Sequence, residues 1–227
     1  SIDLAAAKEL GVVVTNTPGA FSGPVAEIAI GYLLMLERRI HQIDDEVRQG
    51  GWPKVERRGL GGLVLGIVGF GSIGRAIAKR ALAFDMQVIA HDPQLLTSPL
   101  DEVSLKDLDT LLRESDFVCM ACPLTDATRH MIDVNALAKM KKSAHLVNIS
   151  RGPVVEERAL IAALESGAIA GAALDVFEQE PLRKGHPLAS MGNVVLGSHS
   201  AGNTSVANQQ VCRQAIDNLL RHLPGAG

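Results

Sequence analysis

The sequence predicts an α/β protein built on a doubly wound parallel sheet, and three observations carry this prediction. From residue 63 onward, short β-branched segments alternate with longer segments whose apolar residues recur at helical spacing. Aromatic residues make up only 3% of the chain, so the core must consist mainly of Ala, Val, Ile and Leu. A glycine-rich turn at residues 69–74 joins a predicted strand to a predicted helix. Together these features indicate helices packed on a parallel sheet.

The elements of the regular part follow from the same patterns in chain order. Six strands are predicted, at residues 63–68, 86–90, 117–121, 144–149, 170–176 and 194–197. Three helices are predicted between them, at residues 73–84, 104–114 and 156–165. We expect Ser104 to cap the second of these helices with Asp107 as its acidic partner, and Gly167 to follow the end of the third.

The flanking segments are less regular. Residues 3–10 and 12–14 are predicted to form a helix and a strand, residues 48–62 a surface connection, and residues 206–223 a last helix. The predicted helix 24–39 is apolar on nearly all sides, which is unusual for a helix with one face in water. It is interpreted either as a central core helix or, preferably, as a helix shared with another domain or subunit.

Composition excludes several classes of function. The 22 Lys and Arg against 25 Asp and Glu give a net charge of −3, which does not favour nucleic acid or an anionic membrane as a partner. The longest apolar segment, residues 25–36, contains Glu27 and is about half the length of a membrane span. Three cysteines do not make a disulfide framework, and no signal peptide opens the sequence, so we expect a cytoplasmic protein.

The glycine-rich turn has the spacing of a dinucleotide-binding fingerprint. Gly69 permits the tight turn, Gly71 lets the backbone approach a pyrophosphate, and Gly74 lets the helix pack close to the strand. Asp92 follows the next predicted strand, where a carboxylate can accept hydrogen bonds from the ribose hydroxyls. Its sequence neighbours include no Arg or Lys to bind a 2′-phosphate, so the sequence favours NAD over NADP. The alternative is an Asp92 that merely starts a turn.

Three polar residues each follow a predicted strand in the second half: Arg151, Glu180 and His199. A guanidinium suits a carboxylate substrate, and a histidine is the side chain best suited to exchange a proton near neutral pH. Glu180 can hold the second imidazole nitrogen. Taken singly, Arg151 and Glu180 are also compatible with solvated surface positions.

The remaining histidines and the cysteines are assigned no chemistry. His41, His130, His186 and His222 are interpreted as surface residues. Cys119 and Cys122 have the spacing of a redox or metal pair, but their place at a strand end before Pro123 favours a structural role. No metal site is predicted.

With these residues assembled, the chain resembles the D-isomer-specific 2-hydroxyacid dehydrogenase family, which includes D-3-phosphoglycerate dehydrogenases and glyoxylate or hydroxypyruvate reductases. The resemblance covers almost the whole chain. It runs through Asn16-Thr17-Pro18, Val25-Ala26-Glu27, the 69–74 fingerprint, Pro123-Leu124-Thr125, Asn148-Ile149-Ser150-Arg151-Gly152, Asp175-Val176-Phe177, Glu180-Pro181, His186-Pro187-Leu188 and His199.

The resemblance implies a role for each site residue. Arg151 would grip the carboxylate and keto oxygen of the substrate, His199 would be the acid/base, and Glu180 would orient His199. Asp175 would lie at the nicotinamide carboxamide. The full set of implied NAD-binding residues is Gly69, Gly71, Ser72, Ile73, Gly74, Asp92, Cys122, Ile149, Ser150, Asp175 and Gly202.

The resemblance also implies a domain organisation of the Rossmann type. Residues 23–202 would form the NAD-binding domain, and residues 1–22 and 203–227 would be remnants of a substrate-binding domain that mostly precedes Ser1 in the family. The isolated chain is then expected to bind NAD(H) but to turn over poorly. A homodimer through helix 24–39 is expected as well.

The function implied is hydride transfer between NAD(H) and a small D-2-hydroxy acid or 2-keto acid, as in phosphoglycerate dehydrogenases or glyoxylate and hydroxypyruvate reductases. An alternative is an NAD-sensing regulator, similar to corepressors that keep this fold. A third is a dinucleotide-binding module without chemistry. Retention of Arg151, Glu180 and His199 favours the enzyme.

Overall fold

A seven-stranded parallel sheet forms the centre of the protein in a computed structural model that describes residues 2–222. The sheet order is β3-β2-β1-β4-β5-β6-β7, so the chain reverses its direction of travel across the sheet between β1 and β4. The doubly wound parallel sheet predicted from the sequence is therefore confirmed. The strands are β1 (Val64–Val68), β2 (Gln87–His91), β3 (Val103–Leu105), β4 (Phe117–Met120), β5 (His145–Asn148), β6 (Gly171–Leu174) and β7 (Val194–Leu196).

Helices cover both faces of this sheet. On one face α2 and α4 pack against each other and against inward-facing residues such as Leu65 and Ile67. On the other face α5, α6 and α7 pack over residues such as Val68 and Leu146. The helices are α1 (Leu4–Glu9), α2 (Ser22–Arg38), α3 (Ile40–Arg48), α4 (Ser72–Leu82), α5 (Leu108–Glu114), α6 (Val134–Lys139), α7 (Glu157–Glu165) and α8 (Ser205–His222).

The register of the central strands sets where the site lies. Val68 pairs with His91 on one side and with Met120 on the other, and Met120 pairs in turn with Asn148. The carboxyl ends of β1, β2, β4 and β5 are therefore level. The loops that follow these strands meet at one edge of the sheet, at the switch point where ligands bind in such folds.

Two predicted elements are wrong. Residues 103–105 form the edge strand β3 and not the start of a helix, because Val103 is buried beside β2 and residues 104 and 105 continue the pairing. Helix α5 begins later, where the Asp107 side chain accepts a hydrogen bond from the Thr110 amide at 2.8 Å, so Asp107 and not Ser104 is the cap. Residues 12–14 pair with no strand in the described part of the chain and are exposed.

The two helices flanking Arg39 differ from the prediction of one helix at 24–39. Arg39 adopts a left-handed conformation with φ of 48°, which separates α2 from α3. Helix α2 buries one face, whereas Ile28 on another face is 39% exposed. Helix α6, capped by the Asp133 side chain, was also not predicted. The last helix is described as far as His222, and the predicted end at Leu223 lies outside the described residues.

The predicted surface connection at 48–62 contains no helix or strand beyond the end of α3. One ion pair fixes it to the domain: Arg58 donates two hydrogen bonds, of 3.1 and 3.0 Å, to the buried Glu37 carboxylate of α2. Asp116, just before β4, lies 3.8 Å from the same guanidinium. None of the helices in the described part of the chain is long and apolar enough to cross a membrane.

Candidate active site

The glycine turn between β1 and α4 is shaped by backbone crowding. Gly69 has φ of +93°, and a Cβ atom there would lie 2.5 Å from the Cys122 amide nitrogen. A Cβ at Gly74 would overlap the Gly69 carbonyl oxygen. Gly71, by contrast, has open space where its side chain would be, and as the residue before α4 it provides no side-chain cap. The first amides of α4 are therefore free to bind an anion.

A cavity of about 470 Å³ lies in front of these amides. Its walls come from the glycine turn, from the loop after β4 and from the loop after β5. An open glycine, unpaired helix amides and an apolar wall fit the pyrophosphate and nicotinamide half of a dinucleotide. The lining residues are Gly71, Ser72, Ile73, Ala121, Cys122, Pro123, Leu124, Ile149, Ser150 and Arg151.

Asp92 lies directly after β2, beside the glycine turn. One carboxylate oxygen accepts a hydrogen bond from the Phe70 amide at 2.9 Å and the other from the Gln94 amide at 3.0 Å. Within the described residues no Arg or Lys lies within ion-pair distance of this carboxylate. Each oxygen can accept further hydrogen bonds, which would suit ribose hydroxyls, and the negative charge would disfavour a 2′-phosphate.

A second cavity of about 370 Å³ continues from the first, with which it shares Ile73, Ile149 and Arg151. Arg151 and His199 therefore face one space, beside the predicted position of the cofactor. The lining residues are Phe21, Val25, Ile73, Ile149, Arg151, Asp175, His199, Ala201, Gly202, Asn203 and Asn208.

Glu180 and His199 form a hydrogen-bonded pair at this cavity. The His199 Nδ1 atom lies 2.7 Å from one oxygen of Glu180, and the Phe177 amide donates to the other oxygen at 3.0 Å. Partial burial disfavours the ionised carboxylate, but the hydrogen bonds from His199 and Phe177 and the nearby Arg151 charge outweigh this effect. Together they hold the pKa of Glu180 below its usual value. An ionised Glu180 only accepts, so Nδ1 carries the hydrogen and Nε2 is not engaged by Glu180.

Asp175 organises the backbone around His199. Its carboxylate is buried and accepts hydrogen bonds from the Ser200 amide at 3.2 Å and the Ala201 amide at 3.0 Å. Its carbonyl oxygen accepts from the His199 amide at 2.7 Å, and His199 itself has φ of 55°. Tyr32 of α2 donates to Asp175 at 3.4 Å, and burial together with this carboxylate raises the pKa of the Tyr32 hydroxyl. Asp175 therefore fixes the turn that presents His199.

Arg151 reaches the cavity from the loop after β5. Asn148 stabilises that loop, because its side chain donates to the Arg151 carbonyl at 3.1 Å and accepts from the Ser150 amide at 3.1 Å. The Arg151 guanidinium donates to the Ser150 carbonyl at 2.6 Å, and the residue is otherwise exposed. Most of its donors thus remain free for a carboxylate.

The predicted residues fall into two groups in the structure. Arg151 and His199 line the second cavity, Glu180 contacts His199, and most of the predicted cofactor residues line one of the two cavities, whereas Gly69, Gly74 and Asp92 line neither. Cys119 and Cys122 are buried free thiols, and burial raises the pKa of Cys119 to about 12. Across residues 2–222, no three His, Cys, Asp or Glu side chains are grouped so as to hold a metal ion.

Five residues of the second cavity were not predicted as site residues from the sequence: Phe21, Val25, Ala201, Asn203 and Asn208. Phe21 immediately precedes α2, and Asn208 lies in the first turns of α8. Neither follows a strand of the sheet or belongs to a motif, so no signal along the chain points to them.

Comparison with known proteins decides the family. Residues 30–201 match the model of the D-isomer specific 2-hydroxyacid dehydrogenase NAD-binding domain. The chain belongs to this family. A glyoxylate reductase of Thermofilum pendens is 43% identical over 233 residues, a match that spans 99% of this chain and 69% of that protein. A hydroxypyruvate reductase of Thermotoga maritima is 42% identical over 229 residues, with 98% and 74% covered.

Solved structures agree with this assignment. A 2-hydroxyacid dehydrogenase from Ketogulonicigenium vulgare superimposes with a TM-score of 0.90 at 34% identity, over 97% of this chain and 70% of that one. Family membership assigns NAD as the cofactor and oxidoreduction of a 2-hydroxy acid as the class of reaction. These relatives carry the names of enzymes and give no support to the regulatory alternative.

Proposed function

We propose that this protein reduces a small 2-keto acid to the D-2-hydroxy acid, with His199 as the acid/base, Glu180 as its orienting partner and Arg151 as the carboxylate-binding residue. The observation that carries the proposal is the 2.7 Å contact between Glu180 and His199 at the cavity that Arg151 also lines. An imidazole with one nitrogen fixed and the other free, facing a cation that binds carboxylates, suits a keto acid.

The proton transfer follows from the geometry of the pair. When bound, NADH supplies the hydride that reduces the carbonyl carbon. His199 gives its Nε2 proton to the carbonyl oxygen, and ionised Glu180 stabilises the imidazolium before this transfer. In the oxidative direction the neutral imidazole takes the proton back from the hydroxyl.

Arg151 has two tasks in this proposal. Its guanidinium fork binds the substrate carboxylate, and its charge polarises the adjacent keto oxygen. Because Arg151 and His199 line the same cavity, the substrate carbonyl would lie within reach of both side chains.

The cofactor-binding residues act mainly through the backbone. Gly71, Ser72 and Ile73 would hold the pyrophosphate at the start of α4, while Gly69 and Gly74 give the turn its shape. Cys122, Ile149 and Ser150 would line the path of the cofactor, with Asp175 and Gly202 at the nicotinamide end. Asp92 would bind the adenosine ribose and favour NADH over NADPH.

Glyoxylate and hydroxypyruvate are the substrates we favour. The two relatives described above are named for the reduction of these compounds, and each is more than 40% identical over nearly the whole chain. A phosphoglycerate-type substrate has no comparable support.

The domain boundaries remain part of the proposal. Residues 23–202 would be the NAD-binding domain, and residues 1–22 and 203–227 would belong to a substrate-binding domain. In support, the Asn218 side chain of α8 donates to the Asn16 carbonyl at 2.9 Å, which joins the two ends of the chain. A homodimer through the region of α2 completes the proposal.

The experiment compares cofactor binding with turnover in the purified protein. Titration with NADH, followed by nicotinamide fluorescence, should saturate, and NADPH should bind much more weakly. Turnover by the isolated chain is expected to be slow, and His199→Ala should lower its kcat/KM for glyoxylate and hydroxypyruvate by about a further 10²- to 10⁴-fold, as expected for loss of an acid/base, while the Kd for NADH stays unchanged. The control is His222→Ala, at an exposed position of α8. A His199→Ala protein as active as the unaltered one would overturn the assignment.

A further inference from the structure

Two glutamates behind the proposed active site hold each other through reciprocal hydrogen bonds. The Glu157 amide donates to the Glu178 carboxylate at 3.1 Å, and the Glu178 amide donates back to the Glu157 carboxylate at 3.3 Å. Each carboxylate also contacts one imidazole: His186 Nε2 lies 3.1 Å from Glu157, and His130 Nε2 lies 2.9 Å from Glu178. We call these four residues the glutamate clamp.

The hydrogen-bond directions in the clamp are defined on the Glu157 side. The Leu188 amide donates to His186 Nδ1 at 3.4 Å, so Nε2 carries the hydrogen that His186 gives to Glu157. The side chains of His186 and Glu157 are each only 18% exposed. His186, interpreted from sequence as a surface residue, is therefore a largely buried partner of α7.

The clamp joins the two segments that carry the proposed chemistry. Glu157 lies on the segment that begins with Arg151, and Glu178 lies on the loop that leads to Glu180. Between them the backbones touch, because a Cβ atom on Gly152 would overlap the Phe177 carbonyl group. The segment that contains His130 is attached to the Arg151 segment, since the His130 amide donates to the Pro153 carbonyl at 2.8 Å.

Among the described residues, the Glu180 carboxylate has few hydrogen-bond partners of its own. Its carboxylate is bonded to His199 and to the Phe177 amide of its own loop, and its side chain is 35% exposed. A shift of the 177–180 loop would therefore carry Glu180 away from His199. The buried Phe177 of this loop belongs to the same apolar cluster as α7 residues such as Leu160, and among the described residues the polar contacts between the loop and α7 are the two reciprocal hydrogen bonds of Glu157 and Glu178.

The geometry points to Glu157 and Glu178, with His130 and His186, as positioning residues that hold Glu180 at His199. This inference rests on the proposed function, because it concerns the pair that the proposal uses. The clamp acts through the loop and touches neither substrate nor cofactor. By joining the Arg151 segment to the Glu180 loop, it also sets the separation between the carboxylate-binding residue and the acid/base pair.

Measuring the tautomer ratio of His199 distinguishes a positioning role of the glutamate clamp from a general structural role. With Glu180 in place, neutral His199 carries its hydrogen on Nδ1, whereas a free imidazole prefers Nε2. The ring-nitrogen shifts of protein containing isotopically labelled histidine report this ratio at a pH about two units above the ordinary histidine pKa. The signals of His199 are identified by their loss in His199→Asn.

We expect Glu157→Ala and Glu178→Ala, which remove the acceptor oxygens of the clamp, each to lower the Nδ1–H fraction of His199 by at least half, with the Kd for NADH unchanged. Glu180→Ala gives the reference for complete loss of the pair. The matched control is Glu165→Ala, which removes the same side chain at the exposed far end of α7 and should leave the tautomer ratio as it is. Should Glu157→Ala fail to fold, judged by circular dichroism, Glu178→Ala and His186→Asn provide the same test.

The outcomes distinguish a failure of the clamp inference from a failure of the proposed Glu180–His199 pair. If Glu180→Ala changes the His199 tautomer and the folded clamp variants do not, the clamp inference is wrong while the proposed pair stands. If Glu180→Ala has no effect either, the proposed pair fails and the inference that rests on it fails with it.

Discussion

At the scale of single residues, the folded protein favours the ionised form of Glu180 and the neutral form of His145. Glu180 gains two hydrogen-bond donors and a nearby cation, so its ionised form is favoured despite partial burial. His145, at the start of β5, stacks on Phe117 with ring centroids 5.3 Å apart and has a buried Nδ1 atom without a hydrogen-bond partner in the described structure. Burial lowers the pKa of His145 to about 4.

The lowered pKa of His145 predicts a loss of stability in mild acid. The unfolded chain takes up a proton near the ordinary histidine pKa, about 6.5, whereas the folded protein resists protonation until about pH 4. The contribution of His145 to the free energy of unfolding is therefore fully present above pH about 6.5, and it is lost as the pH falls toward 4. It amounts to at most about 3 kcal/mol, and the opposite Coulombic effects of Glu37 and of Arg58 and Arg39 modify it.

Urea unfolding at neutral and at mildly acidic pH measures this effect. His145→Gln should lose less free energy of unfolding on acidification than the unaltered protein, whatever its stability at neutral pH. His222→Gln, at an exposed position, should retain the full pH dependence. Equal pH dependence in the His145→Gln protein would contradict the prediction.

At the scale of elements, the turn from β1 to α4 shows two glycines with different requirements. Gly69 is needed for folding, because its φ of +93° and its contact with the Cys122 backbone leave no room for a side chain. Gly71 has no neighbour within 4 Å of its missing Cβ, so the described protein tolerates a methyl group there. We propose that the close approach of the cofactor pyrophosphate requires glycine at position 71.

Alanine substitutions should therefore separate folding from binding. Gly69→Ala is expected to lower the free energy of unfolding by more than about 1 kcal/mol. Gly71→Ala should change it by less than about 0.5 kcal/mol while weakening NADH binding about tenfold or more. Thermal or urea unfolding and the NADH fluorescence titration measure the two quantities. The reverse pattern, with a destabilised Gly71→Ala and a fully binding Gly69→Ala, would disprove this division.

At the scale of the whole molecule, large apolar side chains are exposed on α2, on α3 and in the connection that follows α3. They are Ile28, Ile40, Val47, Trp52 and Val55. Exposed apolar residues that gather into a patch mark interaction sites. We propose that these residues form the surface of the homodimer.

The proposed homodimer predicts a specific effect of charge at this surface. Sedimentation should give twice the chain mass of 24.0 kDa for the unaltered protein. Ile28→Glu should weaken the dimer by about a hundredfold or more, because an unpaired carboxylate would be buried in the interface. Val134→Glu, at an exposed position of α6, is the matched control. A monomer in the unaltered protein would exclude the homodimer, and a dimer unaffected by Ile28→Glu would place its interface elsewhere.

The sequence alone determined the fold class and the positions of most strands. Parallel strands buried on both faces appear as uninterrupted apolar runs, and the glycine fingerprint is local, so both are visible along the chain. The same reasoning placed Arg151, Glu180 and His199 at strand ends. It misassigned residues 103–105, because a short edge strand is defined by its pairing with β2 and carries little periodicity of its own.

Only the tertiary structure decided how these residues meet. The sequence suggested Glu180 as the partner of His199, but their 2.7 Å contact, the support of the His199 turn by Asp175 and the glutamate clamp join segments about 20 residues apart and are seen only in the folded protein. Phe21 and Asn208 enter the cavity from helix ends that no motif marks. Local periodicity reports which face of an element is buried, but the packing of separate segments fixes which polar groups become partners.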